Sequence, residues 1–195
     1  MKRLILTLIL LISGLSLFSQ EHLKFKGVPI NGSLKTFVES MKAKGFSLID
    51  SQDGVALMKG TFAGVSSCKI FILSANDVVW KVAVEFPSNN KWPEVKRDYN
   101  DLKESFATKY GVTPEVQETL PHDEEYYSTS GGMIILHDEF DNEKAVYDSY
   151  FIIPNGVAIV GIKPDFRTSG CLQVVIEYYD DINTQFRDKK AMEDL

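Results

Sequence analysis

The sequence predicts an α+β fold built from two tandem units, each with one helix packed on about four antiparallel strands. Short β-branched and aromatic runs are separated by turn formers, which is typical of antiparallel hairpins. Two stretches carry a single apolar stripe at helical spacing. A helix followed by strands occurs twice along the chain, which indicates a weak internal duplication. We place the first unit at residues 20–90 and the second unit at residues 91–195.

The clearest hairpin runs from Cys68 to Phe86, where two apolar runs flank the turn formers Ser-Ala-Asn-Asp. From Trp80 to Phe86 the residues alternate at the strand period of two, and those with even numbers are all apolar. We therefore expect the face of this strand that carries Trp80 to lie in the core.

The first unit opens with a helix. Ser33 suits its N-cap, and Gly45 suits the left-handed position after its last turn. Between them the apolar residues recur at spacings of three and four. They are Leu34, Phe37, Val38 and Met41. Asp53-Gly54 is a hairpin turn signal, so we expect strands to follow the helix.

The second unit repeats this pattern with an insertion. Pro93 suits the first turn of a helix, and Gly111 suits its end. The stripe between them consists of Val95, Tyr99, Leu102 and Phe106. An acidic loop within 120–132 follows, ordered structure returns with Met133–His137, and Asn155-Gly156 is the strongest hairpin signal in the chain. The chain ends in a charged tail. We expect the core to include Phe37, Met41, Trp80, Val82, Tyr99, Leu102, Phe106, Val174 and Ile176.

The first 19 residues, 1–19, have the pattern of a signal peptide. A short basic segment precedes the apolar run Leu4–Ile12, and Ser19 is a small residue suited to the last position before cleavage. The apolar run is shorter than the about 20 residues that a membrane span needs. We therefore expect export to the periplasm or the outside of the cell, and no stable membrane insertion after cleavage.

The charge of the chain bears on its partners. The chain has 27 acidic and 21 basic residues, a formal net charge of −6, and no cluster of Lys and Arg. These properties argue against nucleic acid as a partner. We expect a protein or a polymer of the cell envelope instead. No cofactor signature is present in the sequence, so we expect no cofactor.

The two cysteines, Cys68 and Cys171, leave two alternatives open. Export permits one disulfide with no choice of partner. A bridge requires α-carbons within about 7 Å, however, and the two residues lead into strands of different predicted units. In the second alternative, each thiol is a small buried hydrophobe.

Two tyrosine pairs are the candidate binding residues. Tyr126-Tyr127 borders the acidic loop and Tyr178-Tyr179 ends the last predicted strand. Together they could form an aromatic binding face, because Tyr offers a large contact area at low entropic cost. The alternative is that one Tyr of each pair packs inward while its neighbour stays at the surface.

The acidic residues of 122–139 suggest a metal site or a hydrolase. They lie beside His122 and His137, but their spacing matches no zinc or EF-hand pattern, so we expect no metal. Two carboxylates suffice for a glycosidase, which keeps open a hydrolase acting on envelope or dietary glycan or peptide. No paired catalytic motif is present in the sequence. This favours a non-enzymatic binding module, and we assign no catalytic residue.

Several motifs of the mature chain resemble those of a family of uncharacterised secreted proteins from Bacteroidetes. They are Gly27–Leu34, Lys42–Phe46, Lys59–Gly64, Lys109–Gly111 and Val174–Asn183. The motifs are structural ones, and the resemblance implies no activity. The predicted architecture is also similar to that of the beta-lactamase inhibitor proteins and of small outer-membrane assembly lipoproteins, a likeness at the level of the fold alone.

Overall fold

The computed structural model describes residues 21–129 and 131–193. The predicted signal peptide lies outside the described residues. A short arm of two strands, β1 and β2, precedes one antiparallel sheet of eight strands in the order β3-β4-β5-β6-β10-β9-β8-β7. The strands are β1 (Lys24–Phe25), β2 (Val28–Pro29), β3 (Ser47–Gln52), β4 (Val55–Phe62), β5 (Val65–Ala75), β6 (Val78–Glu85), β7 (Glu115–Thr119), β8 (Val146–Ile153), β9 (Gly156–Pro164) and β10 (Leu172–Asp180).

Five helices accompany the sheet in the described part of the chain. They are α1 (Leu34–Ala43), α2 (Trp92–Tyr110), α3 (Glu124–Tyr127), α4 (Gly132–Asp141) and α5 (Asp181–Glu193). Helix α1 packs on β3 to β6, α2 packs on β8 to β10, and α4 packs on β9. Helix α5 continues directly from β10 and contacts β6. Within these residues, no helix is both long and apolar enough to cross a membrane.

The predicted fold class of two tandem helix-plus-four-strand units is wrong. Strand β6 pairs along its length with β10, with Val84 opposite Ile176, so the strands form one sheet. The buried side chains likewise form one hydrophobic cluster from Leu23 to Tyr178. The physical reason is that β6 and β10 would each be the unpaired edge of a four-stranded sheet, and an apolar edge strand is stabilised by pairing.

The two faces of the sheet differ in composition. The helix face carries the buried residues that α1, α2 and α4 cover, such as Ile70, Val84 and Ile176. The other face, which we call the outer face, carries the alternate residues of the same strands. Among them are Phe71, Lys81, Ala83, Lys163, Val175 and Glu177. Apolar and charged side chains are therefore mixed on the outer face, while the core lies on the helix face.

The local predictions about turns and helix ends are confirmed. The Ser33 side chain accepts a hydrogen bond from the Thr36 amide at 3.2 Å and caps α1. Gly111 ends α2 in the left-handed conformation with φ of 65°. The β5–β6 turn places Asn76 and Asp77 at φ of 51° and 59°, the conformation of a two-residue hairpin turn.

The expectation that Trp80 lies in the core is wrong. Val79 pairs with Ser74 and Lys81 pairs with Leu73, so Trp80 is the extra residue of a β-bulge. Val79 takes the buried position in its place. The Trp80 ring is partly exposed and lies under the guanidinium of Arg187, 3.8 Å from the ring centroid.

Candidate ligand-binding cleft

A cleft of about 740 Å³ opens on the helix-face side of the sheet. One wall is helix α2. The opposite wall consists of the arm around Lys24–Gly27 and the β4–β5 turn at Phe62–Val65, and residues 86–89 close one side. Helix α1 covers β3 to β6 and helix α2 covers β8 to β10. The arm lines the space between the two helices, and the cleft lies between the arm and α2. Its volume lies within the range of about 300–1,000 Å³ that is typical of small-molecule sites.

The floor of the cleft is a continuous cluster of aromatic rings, each of them at most 9% exposed. The Phe25 ring stacks on Phe62 with centroids 5.5 Å apart, and it meets Tyr178 edge-on at 5.3 Å. Phe86 extends the surface from Phe62 at 6.1 Å, and Phe106 extends it from Tyr178 at 5.9 Å. Burial, with a smaller effect of neighbouring Tyr110, raises the pKa of the Tyr178 hydroxyl. The floor therefore stays uncharged across the physiological pH range.

One face of α2 supplies the second wall. The lining residues recur at helical spacing, and they are Asp98, Asp101, Leu102, Ser105, Phe106, Lys109 and Tyr110. Leu102, which we expected in the core, is only partly buried because its side chain lines this wall. The wall has carboxylates at one end and Lys109 at the other, about 16 Å apart along the helix axis.

Two lysines at the cleft stand over aromatic rings. The Lys26 ammonium lies 5.8 Å from the Phe62 centroid, and the Lys109 ammonium lies 4.5 Å from the Tyr110 centroid and donates to the Tyr110 hydroxyl at 3.0 Å. In the described part of the chain, neither ammonium has a carboxylate within ion-pair distance. Lys24, the third cation of the lining, pairs with Glu21 at 3.4 Å.

The arm that carries Phe25 is tied to the far end of β10. The fully buried carboxylate of Asp180 accepts a hydrogen bond from the Leu23 amide at 2.8 Å and contacts His22 Nδ1 at 3.1 Å. The same carboxylate accepts from the Asn183 amide at 2.9 Å. The Asn183 side chain in turn donates to the Ile30 carbonyl at 2.9 Å. This network fixes the wall of the cleft opposite α2.

The four predicted binding tyrosines do not form one surface. Tyr127 is buried and donates to Glu139 at 2.5 Å, and Tyr126 is exposed beside the His122 ring. Tyr178 lies in the floor of the cleft, whereas Tyr179 lies on the outer face beside Trp80. In each pair one ring points inward and its neighbour lies nearer the surface, and only Tyr178 lines the cleft.

The acidic region of 122–139 is partly helical and only loosely grouped. His122 Nε2 lies 3.5 Å from Glu139, and His137 Nδ1 lies 3.6 Å from Asp138. Glu124 forms an ion pair with Lys96 of α2. Among the residues that the structure describes, no group of three or more His, Cys, Asp or Glu side chains could hold a metal ion. The run Met133–His137 belongs to α4, where it packs on β9.

Both cysteines are free thiols in the structure. Cys68 is buried in the helix-face core, and its thiol contacts the Val65 carbonyl oxygen at 3.3 Å. Cys171 is partly exposed in the loop before β10. Cys68 lies on β5 and Cys171 directly precedes β10, and β6 separates these two strands in the sheet.

Comparisons of the chain with protein-family models, with curated proteins and with solved structures gave no match. The resemblance to secreted Bacteroidetes proteins and the protein or polymer partner stay predictions. The geometry of the cleft is therefore the basis on which a function can be proposed.

Sequence reasoning did not find most of the cleft. Its floor comes from β1, β4, the end of β6, α2 and β10, which meet only through long-range pairing. One signal was available in the sequence: Phe25, Phe62 and Phe86 are aromatic residues beside turn or polar segments rather than in the middle of strands. Large aromatic residues at strand ends are candidates for a surface between elements.

Proposed function

We propose that the protein is an exported, non-enzymatic binding module that holds an apolar small molecule in the cleft between α2 and the arm. The observation that carries this proposal is the continuous aromatic floor, in which Phe25 contacts both Phe62 and Tyr178. Concave sites with apolar lining and a few polar groups at the rim are the usual form of small-molecule sites. The export part rests on the basic segment and the apolar run at the start of the sequence.

The carboxylates of the cleft favour binding over hydrolysis. Asp98 and Asp101 both belong to the α2 wall. Glycoside hydrolysis requires carboxylates on either side of the scissile bond. The opposite wall of the cleft contributes Lys24 and Lys26 instead. The geometry therefore supports a site that holds a ligand without a pair of groups to cleave it.

The test is binding of N-phenyl-1-naphthylamine, a neutral apolar dye whose fluorescence rises in an apolar site. We expect saturable binding to the wild-type protein. Ser105 is exposed at the cleft wall, so Ser105→Trp should fill the cleft without removing a core side chain. We expect this variant to weaken dye binding about tenfold or more, because it displaces apolar contact area.

The matched control is Lys35→Trp, which adds the same ring at an exposed position of α1 outside the cleft lining. This variant should bind the dye as the wild type does. Urea denaturation of both variants shows whether they are folded. Absence of saturable binding, or equal binding by folded Ser105→Trp and the wild type, would contradict the proposal.

A further inference from the structure

The polar groups at the cleft indicate the chemistry of its ligand. Lys26 and Lys109 are each placed over a ring of the lining, without a carboxylate partner among the described residues. Other described lysines, among them Lys35, Lys44 and Lys59, also have no carboxylate within ion-pair distance. The feature that distinguishes Lys26 and Lys109 is their position at the cleft. Two lysines without one, at the border of an apolar floor, make that border locally positive.

The opposite end of the α2 wall limits the ligand to one anionic end. Asp98 and Asp101 lie about 16 and 12 Å from Lys109 along the helix axis. Asp98 forms an ion pair with Arg97, and the charge of Arg97 also acts on the Asp101 carboxylate. A second anionic group on the ligand would meet these two carboxylates at that end of the wall.

The cations of the lining favour a carboxylate over a phosphate. Every cation of the lining is a lysine, and arginine, which binds phosphate in a bidentate manner, is not among the described lining residues. Lys109 also lies in the last turn of α2, where the helix dipole disfavours anions, a doubly charged phosphate more than a singly charged carboxylate. A singly charged carboxylate at the lysines of the lining fits both features.

We propose that the ligand of the cleft is a single-chain fatty acid, whose carboxylate pairs with Lys26 and Lys109 and whose chain lies on the aromatic floor. This inference rests on the proposed function and specifies its ligand class. Because each buried methylene adds apolar contact, affinity should rise about three- to fourfold per added carbon until the chain outgrows the floor.

The experiment is displacement of N-phenyl-1-naphthylamine by ten-carbon amphiphiles below their micelle concentrations. The probes are decanoate, 1-decanol, decyl phosphate and decyltrimethylammonium. We expect decanoate to displace the dye at about tenfold lower concentration than 1-decanol, because a charge-assisted hydrogen bond contributes more than a neutral one. Decyltrimethylammonium should be the weakest competitor.

The variant that tests the two lysines is Lys26→Met/Lys109→Met, which keeps the dye site apolar. It should lose the preference for decanoate over 1-decanol. The matched control, Lys35→Met/Lys144→Met, removes the same charge at exposed positions outside the cleft lining and should keep the preference.

The outcomes separate the two proposals. If the dye binds but 1-decanol competes as well as decanoate, or if the cleft variant keeps the preference, the fatty-acid inference is overturned while the binding function stands. Tighter competition by decyl phosphate would overturn the choice of carboxylate. If the dye itself does not bind in the cleft, both proposals fail.

Discussion

On the outer face of the sheet, Lys81, Lys163 and Arg167 each contact a carboxylate, and Lys81 also lies 4.6 Å from the Tyr179 ring centroid. At the cleft, Lys26 and Lys109 lie over aromatic rings without a carboxylate partner among the described residues. Lys81 donates to Glu177 at 2.6 Å, and Lys163 contacts both oxygens of Asp148 at 2.9 Å. The two regions differ in whether their positive charges are paired with carboxylates. On the outer face the ion pairs neutralise groups that the sheet itself brings together, while the cleft keeps positive charge available beside an apolar surface.

Arg167 shows how complete the neutralisation is on the outer face. Its guanidinium donates to Glu85 at 2.7 Å and to Asp165 at 2.9 Å. Burial raises the pKa of Asp165, but hydrogen bonds from Ser88 and from the Arg167 backbone, with the charge of Arg167, outweigh it and hold that pKa below its usual value. Such a site is stabilised in its ionised form and has little capacity left for a ligand.

The largest effect should come from the floor of the cleft. Phe106 is buried and contacts Tyr110, Phe151 and Tyr178. Phe106→Ala should lower the free energy of unfolding by about 3–5 kcal/mol, because it removes a large ring and leaves a cavity. Urea denaturation measures the change. The matched control is Phe166→Ala, at a side chain that is 76% exposed and should cost little. Equal midpoints for the two variants would show that the floor is not packed as described.

The second-largest effect on the free energy of unfolding should distinguish Lys81, which has an ion pair, from Lys26, which has none among the described residues. The Lys81 ammonium donates to Glu177 and to the Tyr179 hydroxyl, and its side chain is 14% exposed. Lys81→Met leaves a half-buried carboxylate without its cation and should cost about 1–3 kcal/mol of unfolding free energy. Lys26→Met removes no ion pair and should change that free energy by about 0.5 kcal/mol or less.

One result would contradict the distinction between Lys26 and Lys81. If Lys26→Met destabilises the protein as much as Lys81→Met, then Lys26 has a structural partner and is not available to a ligand. The double variant Lys81→Met/Glu177→Gln should recover part of the loss, because it removes the unpaired carboxylate.

The local signals of the sequence predicted much of the secondary structure. The cap at Ser33 depends on neighbouring residues, so one sequence suffices to find it. The hairpin predicted at Asn155-Gly156 is present, but its two turn residues are Pro154 and Asn155, because Gly156 already pairs with Ile153. The run Met133–His137 shows the limit of periodicity, because a short apolar run fits a buried helix as well as a strand. Its helical form follows from its packing on β9, which is a long-range contact.

Long-range pairing explains what sequence could not predict. The bulge at Trp80 shifts one residue between the two faces of β6, and nothing in the alternation around it signals the shift. The pairing of Val84 with Ile176 joins strands that are far apart in the chain. The cleft could not be predicted from the sequence for the same reason, because Phe25 and Tyr178 come together only through the completed sheet.

The smallest effect concerns the cysteines, which lie in different environments. Burial raises the pKa of the Cys68 thiol, and burial together with nearby Asp165 raises that of Cys171. Both groups are therefore mostly protonated near pH 8, and their reaction with a disulfide reagent should accelerate as the pH rises above the ordinary thiol pKa. In the native protein, partly exposed Cys171 should react first and buried Cys68 only after unfolding.

Thiol counting in urea without reductant measures how many of the two cysteines are free. We expect two free thiols. A count of zero in a monomer would mean that a disulfide joins β5 to the loop before β10, and the pairing of the central strands would then need revision. Faster labelling of Cys68 than of Cys171 would contradict the burial of Cys68.

The most direct test of the cleft as the ligand site is a two-dimensional NMR titration of the ¹⁵N-labelled protein with decanoate. We expect saturable amide shifts to concentrate in Lys24–Gly27, in 86–89 and in the second half of α2, including Lys109. The amides of Phe71, Lys81 and Glu177 on the outer face should shift little. Saturable shifts centred on the outer face, with the arm and α2 unchanged, would contradict the central claim that the ligand binds in the cleft.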